Sequence, residues 1–173
     1  MKRYIKSAIT KDSEYDLEEL DYEDILYLAE NSTDAEFLRI LYDSTDSEYT
    51  KMLISQNPNT PEDVALKLLA DPDLDNHWVR MYLAMSTTIP HVLEILADSS
   101  EQKIRQYVLW NKYTPIDTIR KLINDGTKYD ANSLIFRKNL PDDVLIQLYQ
   151  SDLLDDKYHD VFSDMLWARG IKL

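Results

Sequence analysis

The stretch "VRMYLAMSTTIPHVLEILADSSEQKIRQYVLWNKYTPIDTIRKLI", residues 79–123, presents the same succession of features twice. In each half an arginine follows a β-branched residue, and then come apolar residues, a polar turn, a proline and a second apolar run. Each half is long enough for two short helices, and the shortness of the turn makes such neighbours pack antiparallel. The stretch therefore predicts two successive helix pairs, which are the units of a helical repeat protein.

The repeat continues on both sides when each copy is aligned on the residue that begins its first helix, helix A. These aligned residues lie 27, 28, 26 and 26 positions apart: Thr33, Thr60, Thr88, Thr114 and Leu140. Eight positions after each of them stands a leucine: Leu41, Leu68, Leu96, Leu122 and Leu148. Mostly apolar residues also recur four, five and nine positions after the same starting points, and this spacing forms one face of a helix. The chain thus predicts about five helix pairs of 26–28 residues.

The start of helix A carries its own signals. A proline directly follows the aligned residue in three copies: Pro61, Pro115 and Pro141. Proline fits the first position of a helix because its missing N–H has no partner there, and we expect the hydroxyls of Thr60 and Thr114 to cap these helices. Pro90 comes one position later than the others, which predicts a one-residue shift between the two helices of that copy.

A second helix, helix B, precedes each aligned residue. Its core pair is expected six and five positions upstream: Ile54-Ser55, Tyr82-Leu83, Val108-Leu109 and Leu134-Ile135. A further core position is expected ten residues upstream: Thr50, Trp78, Ile104 and Asp130. Arg80 and Arg105 recur at the start of helix B, with Asp71 and Asp98 a short way upstream, which favours an Asp–Arg ladder that joins one repeat to the next. The alternative is that these arginines contact an acidic partner.

Three segments of the chain resemble the leucine-rich repeat variant family, whose unit reads roughly V-R-x-x-V-A-x-N-P-x-T-P followed by an L-x-x-L-A-x-D helix. They are "TKMLISQNPNTP" (50–61), "LADPDLDNHWVR" (69–80) and "IRQYVLWNKYTP" (104–115). HEAT and armadillo units share the helix-pair logic but are longer. The resemblance covers about residues 33–150 and implies an all-α fold, a right-handed superhelix (α-α solenoid) of stacked helices, some of them short or 3₁₀. It supplies no common catalytic residues, and the cysteine-bound iron–sulphur cluster of one family member cannot be transferred to a chain without cysteine.

The composition suits a helical chain. Of 173 residues, 44% are hydrophobic, 2 are glycine, 6 are proline and none is cysteine, which disfavours turn-rich all-β folds. We expect one repeat domain over 1–173, with an acidic N-terminal cap (1–31), helical repeats (32–150) and a C-terminal capping helix (151–173). The apolar residues of that last helix are Val161, Phe162, Met165, Leu166 and Trp167. With no signal peptide and no apolar run of ~18 residues, a cytoplasmic protein is expected.

Negative charge dominates the chain, which carries a net charge of −13. Residues 12–24 alone hold eight acids and no base. Such a field repels nucleic acids and membrane surfaces and attracts basic proteins, so we expect a partner with a basic surface and no direct contact with nucleic acid or membrane. The alternative interpretation of the acids is a solvated face that only keeps the protein soluble.

Residues that could carry chemistry are sparse. His77, His91 and His159 lack the spacing of metal ligands on a helix, and the two isolated glycines form no phosphate-binding loop. We therefore expect no enzyme, no cofactor, no metal and no small-molecule substrate.

Aromatic residues are the better candidates for a partner-binding site. Trp110 and Phe136 lie four positions before the aligned residue in successive copies, where Gln56 and Ala84 stand earlier, and Tyr107 and Tyr113 are close to Trp110. Packing between repeats is the alternative role for these rings. The candidate acids are Asp16, Glu18, Glu19, Asp21 and Glu23.

The sequence favours a non-catalytic protein-binding solenoid, an interaction or adaptor module. The alternative is an acidic inhibitor that imitates nucleic acid and blocks a nucleic-acid-binding enzyme, such as an anti-defence protein of a mobile element or an immunity protein against a nuclease toxin.

Overall fold

The computed structural model describes residues 17, 20–125, 131–137 and 140–172. Within these residues the chain forms ten α-helices and one 3₁₀ helix and no strand, which confirms the predicted all-α class. The α-helices are α1 Tyr22–Asn31, α2 Ala35–Ser44, α3 Glu48–Gln56, α4 Glu62–Ala70, α5 Asn76–Ser86, α6 Pro90–Ala97, α7 Gln102–Trp110, α8 Ile116–Asn124, α9 Asp142–Tyr149 and α10 Asp156–Ala168. The 3₁₀ helix, Ala131–Phe136, lies between α8 and α9. No described helix combines the length and the hydropathy that crossing a bilayer requires.

The helices form two compact units, which divide between Thr88 and Ile89. In the first unit α3 packs between α1 and α5, and α2 packs against α4. In the second unit α7 packs against α6, α8 and the 3₁₀ helix, while α9 packs against α8 and α10. The predicted A helices correspond to α2, α4, α6, α8 and α9, and the predicted B helices to α3, α5, α7 and the 3₁₀ helix.

The predicted apolar face of the A helices forms the core. All five leucines at the eighth position are at most 2% exposed, and the residues four and five positions after the aligned residue are buried in every copy. Burying one leucine side chain contributes about 1.5–3 kcal/mol. Five helices of only eight to ten residues therefore gain their stability from packing rather than from helix propensity.

The core of α5 differs from the prediction by one residue. Val79, Leu83 and Ala84 are buried, whereas Trp78 is 46% exposed and Tyr82 is only partly buried. A shift of one residue turns a helical position by about 100°, which brings Trp78 out of the core. The cause is the one-residue offset that Pro90 indicated, because α5 is longer than α3 and α7 and the turn to α6 is correspondingly short.

The B helices on either side of α5 follow the predicted register. Their buried core residues are Thr50, Ile54 and Ser55 in α3, Ile104, Val108 and Leu109 in α7, and Leu134 in the 3₁₀ helix. Ile135 is partly buried, and Asp130 lies outside the described residues.

Thr60 and Thr114 do not cap the A helices as predicted. Each hydroxyl donates a hydrogen bond to a carbonyl of the preceding B helix, from Thr60 to Ile54 and from Thr114 to Val108. The prolines that follow them take the cap position, without a side-chain hydrogen bond. Both threonines are buried beside the last turn of helix B, where carbonyls have no partner within the helix, so the hydroxyls stabilise that end instead.

Ion pairs join A helices at matching positions within each unit. Arg39 of α2 pairs with Asp63 of α4 (Nε to Oδ2, 2.9 Å), and Arg120 of α8 pairs with Asp143 of α9 (Nε to Oδ2, 2.8 Å). In both cases the arginine lies six positions after its aligned residue and the aspartate three positions after the next one. The same side-chain contact therefore recurs at one register in the two units.

The sequence predicted arginines as the partners of Asp71 and Asp98, but in the structure both aspartates pair with lysines. Lys51 Nζ lies 2.8 Å from Asp71 Oδ2, and Lys121 pairs with Asp98. Arg105 donates to the Ser99 carbonyl, 2.5 Å away. Arg105 Nε also lies 3.4 Å from Asp125 Oδ2, so Lys51 and Arg105, both near the start of a B helix, pair with the aspartate that follows the next A helix rather than with the one upstream. Only Asp98 takes its cation from an A helix, α8.

The Lys51–Asp71 pair should make stability depend on pH. The hydrogen bond from Lys51 holds the pKa of the Asp71 carboxyl below its ordinary value, so its contribution is complete above the ordinary pKa and is lost as the pH falls through the lowered one. We expect Asp71→Asn to destabilise the first unit by about 1 kcal/mol at pH 7, with the difference from the wild type starting to shrink below about pH 4 and closing only below the lowered pKa. Urea titrations at pH 7 and at a series of pH values below about 4 measure this. A difference that does not shrink at any of these acidic pH values would mean that the carboxylate charge is not its cause.

The predicted terminal helices are present in the described residues. Asp21 caps α1, because its Oδ1 accepts a hydrogen bond from the Asp24 N–H at 2.8 Å. In α10, Phe162 and Leu166 are buried, but Val161 and Trp167 are exposed, which corrects the expected apolar face of this helix.

Candidate functional site

The predicted aromatic residues lie at the surface of the second unit. Trp110 is 41% exposed and Phe136 is 83% exposed, so the alternative of packing between repeats is wrong for these two rings. Tyr113 is also exposed and Tyr107 is partly buried. We call these four residues the aromatic edge.

Local structure fixes three of the four rings. Tyr107 lies one turn before Trp110 on α7, and the two rings pack edge to face with centroids 5.6 Å apart. Asn111 follows as the C-cap, and its Oδ1 accepts a hydrogen bond from the Tyr113 N–H at 2.9 Å. The Lys112 ammonium lies 4.9 Å from the centre of the Tyr113 ring. The contact with Tyr107 restricts the Trp110 ring, and the turn fixes the backbone of Tyr113, before any partner arrives, which lowers the entropy cost of binding.

Arg137, the residue after Phe136, joins the end of the 3₁₀ helix to the turn after Trp110. Its guanidinium donates hydrogen bonds to the carbonyls of Asn111 (2.5 Å) and Thr114 (3.1 Å), which belong to the turn after Trp110. Burial lowers the pKa of Arg137, and the two carbonyls compensate for part of the water that its charge has lost. Phe136 directly precedes this anchored residue at the end of the 3₁₀ helix, which packs against α7, the helix that carries Trp110.

The predicted acids lie in the first unit or outside the described residues. Asp21 and Glu23 are exposed at the N-terminus of α1, where negative charge is favoured by the helix dipole. Asp16, Glu18 and Glu19 lie outside the described residues. Asp21 and Glu23 thus belong to a different compact unit from the aromatic edge.

Met85 is a surface residue that the sequence alignment missed. With the corrected register of α5, Met85 rather than Ala84 corresponds to Trp110 of α7, because both directly follow the buried core pair. Met85 is 53% exposed and Ala84 is fully buried. The displaced Pro90 was the available signal for this shift.

A second surface that was not predicted from the sequence is a groove between α3 and α5 in the first unit. Its apolar lining consists of Tyr49, Met52, Leu74, Trp78 and Val79, and it encloses a volume of ≈ 270 Å³. The acids Glu48 and Asp75 complete the lining. We call this surface the α3–α5 groove. It was missed because Trp78 was assigned to the core.

Two of the three histidines, His77 and His159, pack against aromatic rings, whereas His91 is exposed. His77 lies edge-on to Trp78 (5.4 Å between centroids), and His159 lies edge-on to Tyr149 (5.6 Å). In the part of the chain that the structure describes, no three histidine, aspartate or glutamate side chains are grouped so that they could hold a metal ion.

Comparison with known proteins finds no relative of this chain. The chain matches no family model, no curated protein and no solved structure.

Proposed function

We propose that this protein is a non-catalytic interaction module that binds a partner protein with a basic surface. The observation that carries the proposal is the exposure of Trp110 and Phe136 at equivalent positions of two elements that pack together, α7 and the 3₁₀ helix. Large aromatic side chains are enriched among the residues that dominate protein–protein binding energy. A rigid ring offers a large contact area at a low cost in conformational entropy.

We further propose that the helix pairs form a right-handed α-solenoid that resembles the leucine-rich repeat variant family. Two observations support this architecture. The eighth-position leucine is buried in every copy, and the Arg39–Asp63 contact recurs at the same register as Arg120–Asp143. Stacked units of this kind present extended surfaces that suit another macromolecule.

The charge of the chain supports a basic partner. At a net charge of −13 the protein attracts positive surfaces over a distance set by the salt concentration. Electrostatic attraction of this kind acts mainly on the association rate, whereas buried aromatic contacts act mainly on dissociation.

The test is to isolate a partner with the full chain as bait and to measure its binding kinetics against single variants. We expect Trp110→Ala or Phe136→Ala to raise the dissociation rate at least about 10-fold, because each removes an aromatic anchor. Trp167→Ala, which removes an exposed tryptophan from α10, is the matched control and should change the rate less than about 3-fold. Equal effects of the three substitutions would contradict a site at the aromatic edge.

The same kinetics separate this function from inhibition by imitation of nucleic acid. Neutralising Asp16, Glu18, Glu19, Asp21 and Glu23 together should slow association if the acids only steer the partner. If the acids replace phosphates in a desolvated basic groove, the same variant should also dissociate much faster. Binding of the chain to duplex DNA, or affinity that is indifferent to salt, would contradict both functions.

A further inference from the structure

We propose that the α3–α5 groove binds a lysine or arginine side chain that the partner protein presents beside an aliphatic residue. This inference rests on the proposed function, because it specifies the chemistry by which the partner is recognised.

The walls of the groove are aromatic and partly preorganised. Tyr49 of α3 and Trp78 of α5 are both about half exposed. The Trp78 ring is held on one side by stacking on Tyr82, with centroids 6.2 Å apart, and on another by the edge-on ring of His77. Tryptophan and tyrosine faces attract an ammonium or guanidinium group through the negative potential of the π system.

The base of the groove is apolar. Leu74 and Val79 are buried, and Met52 is partly buried and flexible enough to adapt to a bound chain. The methylene stem of a lysine or arginine buries itself on such a surface while its charged end stays near water. An aliphatic neighbour of the basic residue can cover the rest of the apolar lining.

The charge at the groove selects a cation. Glu48 and Asp75 are both exposed, and both belong to the lining. Asp75 uses Oδ1 to cap α5 through the His77 N–H at 3.1 Å. Two carboxylates outweigh the roughly half unit of positive charge at each nearby helix N-terminus. Charge complementarity therefore favours a basic side chain and disfavours an acidic one.

The size of the groove favours part of a protein over a whole small molecule. At ≈ 270 Å³ it is smaller than the pockets of about 300–1,000 Å³ that enclose drug-sized ligands. One long side chain and the edge of a neighbour fit this volume. The groove thus acts as one subsite of a larger interface.

The experiment is a titration of the full chain with a capped hexapeptide of alternating leucine and arginine, followed by NMR of the three tryptophan indole N–H groups. Trp110 and Trp167 act as internal references for binding elsewhere. We expect the Trp78 signal to shift with saturation, and Glu48→Gln with Asp75→Asn to weaken that binding about 10-fold. Asparagine keeps the helix cap, so this variant should fold like the wild type.

Two controls make the result decisive. Asp160→Asn with Asp164→Asn makes the same change in net charge on α10 and should weaken binding at Trp78 less than about 3-fold. A hexapeptide with glutamate in place of arginine should not shift Trp78. If the α10 variant weakens binding as much as the groove variant, or if the glutamate peptide binds equally well, the groove does not select cations. A partner whose affinity ignores the groove variant but falls with Trp110→Ala would leave the proposed function standing and overturn this inference alone.

Discussion

Replacing Leu122 or Leu96 by alanine is expected to lower the free energy of unfolding of the second unit by about 2–5 kcal/mol. Both side chains are buried at the eighth position of their A helices, Leu96 in α6 and Leu122 in α8. Each substitution removes apolar contacts and leaves a cavity that short, mutually packed helices fill only in part. Chemical denaturation followed by circular dichroism measures the loss as a lower midpoint at an unchanged slope.

The matched control for this prediction is the residue next to Leu96. Ile95 lies on the same helix but is exposed, so Ile95→Ala should cost less than about 1 kcal/mol. Both changes shorten a branched aliphatic side chain in α6, and they differ mainly in burial. Equal midpoints for the two variants would show that the predicted apolar face is not the one that packs.

The A helices could be predicted because one physical requirement acts on all of them. A helix of eight to ten residues is unstable alone, so each must place an apolar face against its neighbours. That requirement leaves the same 4-5-8-9 spacing in each copy, which can be read from Leu68 or Leu122 without any knowledge of the fold. The structure buries the fourth, fifth and eighth positions in every copy, whereas the ninth is buried at Ala97 and Ile123 and only partly buried at Tyr42, Leu69 and Tyr149.

The residues of a B helix that face the core could not be predicted in the same way. An alignment that starts from helix A assigns the positions of helix B by counting backwards through the turn. The turn before α6 is shorter than the others, so this count is wrong by one residue in α5. Pro90 indicates an offset of one residue between two helices, but it does not show whether the register of α5 or that of α6 is the one that changes. One residue of error places Trp78 in the core and Ala84 at the surface, the reverse of what the structure shows. The two surface features missed, Met85 and the α3–α5 groove, both follow from that error.

The hydrogen-bond partners between helices also could not be predicted from the sequence. A threonine before a proline predicts a helix cap, because that prediction uses only the local sequence. In the fold, Thr60 instead reaches the Ile54 carbonyl of the preceding helix, since the turn brings its buried hydroxyl to that end. The choice between the two partners depends on the crossing of the helices, which no local pattern encodes.

Asn57→Ala is expected to destabilise the first unit by about 2–4 kcal/mol, because this side chain joins two turns inside the protein. Asn57 is only 1% exposed. Its Nδ2 donates hydrogen bonds to the carbonyls of Ala29 (3.1 Å) and Ser32 (2.9 Å), and its Oδ1 accepts one from the Asn59 N–H (2.9 Å). Alanine removes the Asn57 donor from both carbonyls, of which Ser32 keeps the longer hydrogen bond from Asn59 Nδ2 (3.3 Å), and it leaves a cavity.

A second substitution separates hydrogen bonding from the loss of volume. Asn57→Asp keeps the size of the side chain and the acceptor for Asn59, but at pH 7 it directs carboxylate oxygen at the carbonyls of Ala29 and Ser32. It should therefore destabilise at least as much as alanine at pH 7 and recover in part at acidic pH, where the protonated carboxyl can donate again. Asn59→Ala removes only the two longer hydrogen bonds that Asn59 Nδ2 donates to the Ser32 carbonyl (3.3 Å) and to Asn57 Oδ1 (3.2 Å), so it should cost less than Asn57→Ala in the same urea titrations. If the aspartate variant unfolds at the wild-type midpoint, the two donated hydrogen bonds do not stabilise the unit, and the buried turn is held by apolar packing alone.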